Sequence, residues 1–196
     1  MAFKKRNNYQ LVEYKLYELY YFRRFEGRRN MSQFEVNNLV ETRQRLLDEI
    51  ALLNFDELNK KPDDNSWSIA QICHHLSLAE TSFAKAIRYG LKQTEASKAE
   101  PKFIESMSDR SRKFTAPNIV NPGEEPLETK SVINLLKESR AFLFNLLDQI
   151  EDTAILTERS AKHALFGELP LNQWVELVGL HEQRHIEQIK DIKVLI

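Results

Sequence analysis

Hydrophobic positions recur on one helical face in four separate stretches of the chain. Between Ser32 and about Leu53 the apolar residues Phe34, Leu39, Leu46, Ile50 and Leu53 are set among charged ones, which predicts a first amphipathic helix. Asn54 to Trp67 breaks that pattern, with Lys61-Pro62-Asp63-Asp64-Asn65-Ser66 reading as a turn. Ser68, followed three residues later by Gln71, has the form of a capping box that opens a second helix. The stripe Ile69, Ile72, Cys73, Leu76, Phe83 and Ile87 carries that helix to about Lys92. Residues 94–127 are rich in Ser, Lys, Pro and Asn and contain Pro101, Pro117, Pro122 and Pro126. They predict a long crossover with only a short helical turn or two around 102–113. A third helix is expected from Thr129 to Ile150 on Val132, Leu135, Leu136, Leu143 and Leu147. A last one opens near Pro170, after a loop holding Phe166-Gly167, and runs to about Lys193. Nothing alternates at a period of two for long enough to suggest a sheet, and no internal repeat is visible. Four helices, with one crossover long enough to let two neighbours run parallel, predict an all-α four-helix bundle.

Composition narrows the setting. At 196 residues with 42% hydrophobic positions the chain suits one domain with a proper core. A net charge of −1 gives no global pull toward nucleic acid or anionic lipid. Cys73 is the single cysteine and has no internal disulfide partner. No apolar run reaches the length of a membrane span, and the N-terminus lacks the apolar core of a signal peptide. A cytoplasmic protein without membrane or nucleic-acid partners is the expectation.

Charge is uneven, however. Residues 1–30 carry eight Lys/Arg against three Asp/Glu, a net of +5, which leaves −6 for residues 31–196. They also hold five tyrosines and three phenylalanines without a clean helical stripe. Codons for Gly27-Arg28-Arg29 can be written GGG-AGG-AGA, a purine-rich ribosome-binding sequence just upstream of Met31. Residues 1–30 therefore read either as translated leader before a start at Met31 or as a basic, aromatic extra helix. Residues 31–196 read as the bundle domain.

The densest chemistry lies in His181-Glu182-Gln183-Arg184-His185, which sets two imidazoles four positions apart on one helical face, close enough to grip one ion. At about 100° per residue, both fall inside the apolar stripe Trp174, Val175, Val178, Ile189 and Ile192. On the second helix His75 falls at the edge of its stripe, while His74 points nearly opposite, toward water. Burying imidazoles costs a desolvation penalty unless their nitrogens are bonded. Three neutral histidines from two helices, His75, His181 and His185, supply the donor set of an open metal site. Glu182 lies on the same inner half and is available as an acceptor fixing a ring tautomer or as a general base; an ion pair with an arginine of another helix is the plainer role. Gln71 and Gln188 are candidates to support the histidines. Trp67 and Trp174 read as core anchors, Cys73 as a small buried hydrophobe and His163 as a solvent-exposed loop residue.

His181 to His185 also spell the HExxH signature of zinc peptidases. The extended pattern wants Gly at position 188 and a ligand at 191, where this chain has Gln188 and Asp191. Five residues remain after that, with no room for the turn that follows in those enzymes, and no substrate-aligning sheet precedes the helix. The spacing reads as a coincidence.

The chain resembles the DinB/YfiT-like bundle proteins, in the branch of bacillithiol transferases and metal-dependent hydrolases. The resemblance rests on Trp67-Ser68-Ile69-Ala70-Gln71-Ile72-Cys73-His74-His75-Leu76, on Phe166-Gly167-Glu168-Leu169 and Gln173-Trp174, and on Leu180 through Ile189 around the paired histidines. It covers about 32–196. It implies an up-down-down-up order of helices, with the long crossover between the second and third, around a divalent metal held by His75, His181 and His185. Nickel and zinc are both admissible. It further implies homodimers, and either transfer of a low-molecular-weight thiol such as bacillithiol to electrophiles, hydrolysis by metal-bound hydroxide, or a non-catalytic metal-binding role in stress response. A carboxylate-bearing thiol would need cations at the mouth, and the crossover offers Lys98, Lys102, Arg110, Arg112 and Lys113.

Overall fold

Each helix begins or ends where the local chemistry requires it. The computed structural model describes residues 33–93, 97–111 and 114–196, with side chains from position 38 onward; the readings of residues 1–30, Arg112 and Lys113 lie outside the described residues. Helix α1 spans Gln33–Ile50, and a five-residue α2, Phe55–Asn59, follows at once behind a capping box on Asn54 and Glu57. Helix α3, Ile69–Lys92, opens on Ser68 as expected: its hydroxyl accepts from the Gln71 N–H at 3.2 Å and the Gln71 amide oxygen accepts from the Ser68 N–H at 3.1 Å. Such a cap is worth about 1 kcal/mol. Helix α4 spans Thr129–Asp148, a single-turn α5 spans Ile155–Glu158, and α6 runs Leu171–Leu195 behind Pro170. The crossover from α3 to α4 holds two 3₁₀ turns, Glu105–Met107 and Asn118–Val120.

Side-chain pairings fix the directions. Thr42 meets Glu182, Arg45 meets Glu187 and Glu49 meets Lys193, so α1 and α6 run parallel. Ile69, Ile72 and Leu76 pack with Val132 and Leu136, whereas Ala84 and Ile87 pack with Leu143 and Phe144; α3 and α4 are therefore parallel too. The same clusters join Leu46, Leu47 and Ile50 to the start of α3 and Leu39 to its end, so the two pairs oppose one another. The order is up-down-down-up.

A short sheet interrupts the helical pattern. Strands β1, Ser160–His163, and β2, Gly167–Pro170, pair antiparallel, with Ser160 opposite Pro170 and His163 opposite Gly167. Gly167 supplies the positive φ of 72° that closes the three-residue loop. Four-residue strands are too short to show a period of two, which is why the sequence reads here as loop.

Between the two apolar clusters lies a polar layer to which every long helix gives one charged residue. Arg43 of α1, Glu80 of α3, Arg140 of α4 and Glu182 of α6 are all at most 3% exposed. Arg43 donates to Glu182 at 2.5 Å and to Glu80 at 2.7 Å; Arg140 donates to Glu80 at 2.5 Å and to Glu182 at 3.2 Å. Thr42 and Ser139 add hydroxyl donors to Glu182 and Glu80. Burial alone would raise the Glu80 carboxyl, but Arg140 and Arg43 overcome it and hold it down at about 2. Two cations and two carboxylates thus cancel inside the bundle.

Candidate metal centre

His75 comes from the second turn of α3, and His181 and His185 come from adjacent turns of α6. Their ring centroids lie 4.6 to 5.1 Å apart. The Nε2 atom of His181 is 3.3 Å from that of His75 and 3.1 Å from that of His185. The other ring nitrogens of the two flanking histidines are committed outward. His75 Nδ1 lies 2.8 Å from the Val120 carbonyl oxygen and His185 Nδ1 lies 2.8 Å from the Gln188 amide oxygen. Each of those oxygens only accepts, so each Nδ1 carries the proton and each Nε2 presents a lone pair to the centre.

That geometry fits a cation. The His181 Nε2 can donate at most one hydrogen, which leaves the three nitrogens short of donors in a buried place. Protonation does not fill the gap. Burial, followed by the neighbouring histidines, holds His181 well below the ordinary imidazole range and His185 at about 3, and His75 is lowered mainly by burial. Nitrogens each about 2.0–2.1 Å from one ion would sit about 3 Å apart at a right angle and about 3.3 Å apart at the tetrahedral angle. Among the described residues these three histidines form a group that could hold a metal ion.

The remaining expected residues take distinct places. Glu182 points inward, but Thr42, Arg43 and Arg140 engage its oxygens, so its contacts are those of the polar layer. Gln71 closes its own cap and ties down the crossover through Gly123 and Glu124 instead of supporting a histidine. Gln188 does reach His185. His74 is half-buried, and its Nδ1 accepts from the Gly123 N–H at 3.2 Å. Trp67 stacks beside His75 with centroids 4.9 Å apart, and Trp174 donates its indole N–H to the Ala161 carbonyl. Cys73 is fully buried, and burial pushes its thiol up to about 12 against the pull of Arg43. His163 corrects the expectation of an exposed loop residue. It is 7% exposed, sits on β1 among Phe83, Phe166 and Trp174, and its Nδ1 accepts from the backbone N–H groups of Leu165 and Phe166.

Several contributors were missed in the sequence. The Val120 carbonyl that orients His75 belongs to a crossover turn, and no pattern marks a backbone acceptor. Arg184, inside the His181–His185 stretch, donates to the carbonyls of Met107 and Asp109 and lies over the Phe114 ring, clamping the crossover along α6. Arg110, one of the crossover cations named from the sequence, was not missed, but its pairing with Asp191 at 2.7 Å was. Glu80 and Arg140 carried a usable signal, since each is a charge set inside an apolar stripe.

Known proteins agree with this architecture. The DinB superfamily profile matches residues 38–189. YuaE of Bacillus subtilis (strain 168), an uncharacterized protein, is 29% identical over 153 residues, which span 78% of this chain and 93% of that one. The crystal structure of TT2238, a four-helix bundle protein, superposes with a TM-score of 0.57 at 18% identity, covering 82% of this chain and 99% of the other. With the bundle order, the histidine group and a profile match over most of its length, the chain belongs to the DinB superfamily.

Proposed function

We propose that the protein binds one divalent metal ion through the Nε2 atoms of His75, His181 and His185 and, so loaded, transfers a low-molecular-weight thiol to an electrophilic small molecule. The observation that carries the reading is the convergence of three neutral imidazole nitrogens, all within 4.8 Å of one another and with that of His181 3.3 Å and 3.1 Å from those of His75 and His185, two of them oriented from behind by Val120 and Gln188. A divalent ion in such a site supplies Lewis acidity and lowers the pKa of a coordinated thiol or water. Three protein ligands leave positions open for a small molecule.

The chain's other residues favour an external thiol. Its one cysteine is buried with its proton held firmly, so the chain offers no nucleophilic sulfur of its own. Burial and His75 chiefly keep His185 neutral, and Arg184 and Arg110, the latter also paired with Asp191, add a smaller cationic contribution that suits an anionic group such as a thiol's carboxylate. Glu182, paired with two buried arginines, is a poor general base.

Elemental analysis of purified wild type and His185→Ala, followed by monochlorobimane conjugation with bacillithiol, cysteine and glutathione, tests the proposal. The expected result is one metal per wild-type chain, loss of it in the variant, and turnover with at least one thiol. Wild type that holds no metal and cannot be loaded overturns the metal assignment. Full occupancy without turnover overturns thiol transfer and leaves hydrolysis or simple metal binding.

A further inference from the structure

The three histidines are not supported alike. His75 and His185 each have a protein acceptor at Nδ1, whereas no described residue bonds to Nδ1 of His181. Ligating histidines almost always donate their second ring N–H to a carboxylate, a carbonyl or a water. Beside His181 is a void of about 10 Å³, lined on its polar side by Arg43, Glu80 and Glu182 and on its apolar side by Leu76 and Val178. That is close to the smallest volume, about 10–15 Å³, that seats a single water.

The polar wall has capacity for that water. A carboxylate offers about four acceptor positions. Glu182 uses three, toward Thr42, Arg43 and Arg140, and Glu80 uses three, toward Arg43, Ser139 and Arg140. Adjacent residues on a helix point about 100° apart, so Glu182 does not itself meet the ring of His181. A water between them closes the gap.

We infer that one buried water fills this void, accepts from His181 Nδ1–H and donates to Glu182 and Glu80, coupling the polar layer to the metal site. Glu182 is then a positioning residue. It holds the His181 proton on Nδ1 and the lone pair on Nε2 without approaching the ion. The inference rests on the metal-binding reading above and assigns the polar layer a part in it.

Val178→Ile tests it, because the added methylene at the void's wall takes the place of the water while leaving every polar group intact. Metal affinity is measured by competition with a chelator, and the urea midpoint of the metal-free protein is recorded alongside. The expected result is about 10- to 100-fold weaker metal binding with an unchanged or higher midpoint. A variant that binds metal as tightly as wild type overturns the bridge. Should the variant not fold, a high-resolution map of wild type decides: a water peak within hydrogen-bond distance of His181 Nδ1 upholds the bridge, and an empty void overturns it. Wild type that takes up no metal sinks the metal-binding reading instead, and the same map still shows whether the water is there.

Discussion

At His163 the two ring nitrogens have different fates, and burial settles its charge. Nδ1 accepts from two backbone N–H groups of the hairpin loop, and the aromatic surroundings hold the ring's pKa down at about 4, through burial, against an ordinary 6.5. The unfolded chain therefore takes up a proton here before the folded one does. That contribution to stability is fully present above pH 6.5 and is lost as pH falls toward 4. One such group contributes at most about 1.4 kcal/mol per pH unit. Urea melts of the metal-free protein at pH 7.5 and pH 5 should show the loss, and His163→Asn, whose amide oxygen can still accept from the loop, should show less of it. Equal slopes in the two proteins would contradict the assignment. His75, His181 and His185 were legible in the sequence because helical periodicity places whole side chains on a face. His163 was not, because its burial depends on a hairpin that folds it against α6. Val120 was not, because what it contributes is a carbonyl.

Periodicity made α1, α3, α4 and α6 legible as elements, and the Ser68–Gln71 cap was readable to the residue. What the sequence did not show is how charges interrupting those stripes answer one another across the bundle. Removing one member of the polar layer leaves a buried charge without its counter-ion, so Arg140→Met should cost about 3–5 kcal/mol in chemical denaturation. The double variant Glu80→Gln/Arg140→Met should cost less than its two parts added, since the partners couple directly. Strict additivity would show that the layer does not act as a unit. Packing between elements gives a second test. Gly90 lies inside α3, where Ala is ordinarily better by about 1 kcal/mol. Yet a Cβ there would come within 2.9 Å of the Ser160 carbonyl oxygen and 2.6 Å of Leu171. A main-chain carbonyl of β1 cannot swing aside like a side chain, so the clash outweighs the propensity gain and Gly90→Ala should lower the melting temperature. A rise would mean that the hairpin packs more loosely against α3 than these distances show.

For the molecule as a whole, the histidine group ties together parts that the sequence keeps far apart. His75 brings α3 and, through Val120, the crossover; His181 and His185 bring α6, and Arg184 holds the other limb of the crossover on the same helix. An ion that binds this arrangement only in the folded chain stabilises it by mass action, by about 2.7 kcal/mol when free metal is at 100 times the dissociation constant. In a domain of this size each kcal/mol moves the melting temperature by about 2–4 °C, so stripping the metal should lower it by roughly 5–10 °C. His75→Ala should melt at one temperature with or without metal, which separates binding at this site from loose association with surface carboxylates. Hydrogen exchange locates the effect. Backbone amides of Val120, Asn121 and Gly123 should be slowed by metal in wild type, because the His75–Val120 bond carries the constraint into the crossover, whereas the exposed α2 segment around Asp56 should be indifferent. Equal protection of both regions would mean that the ion stabilises the fold globally without acting on the crossover through His75.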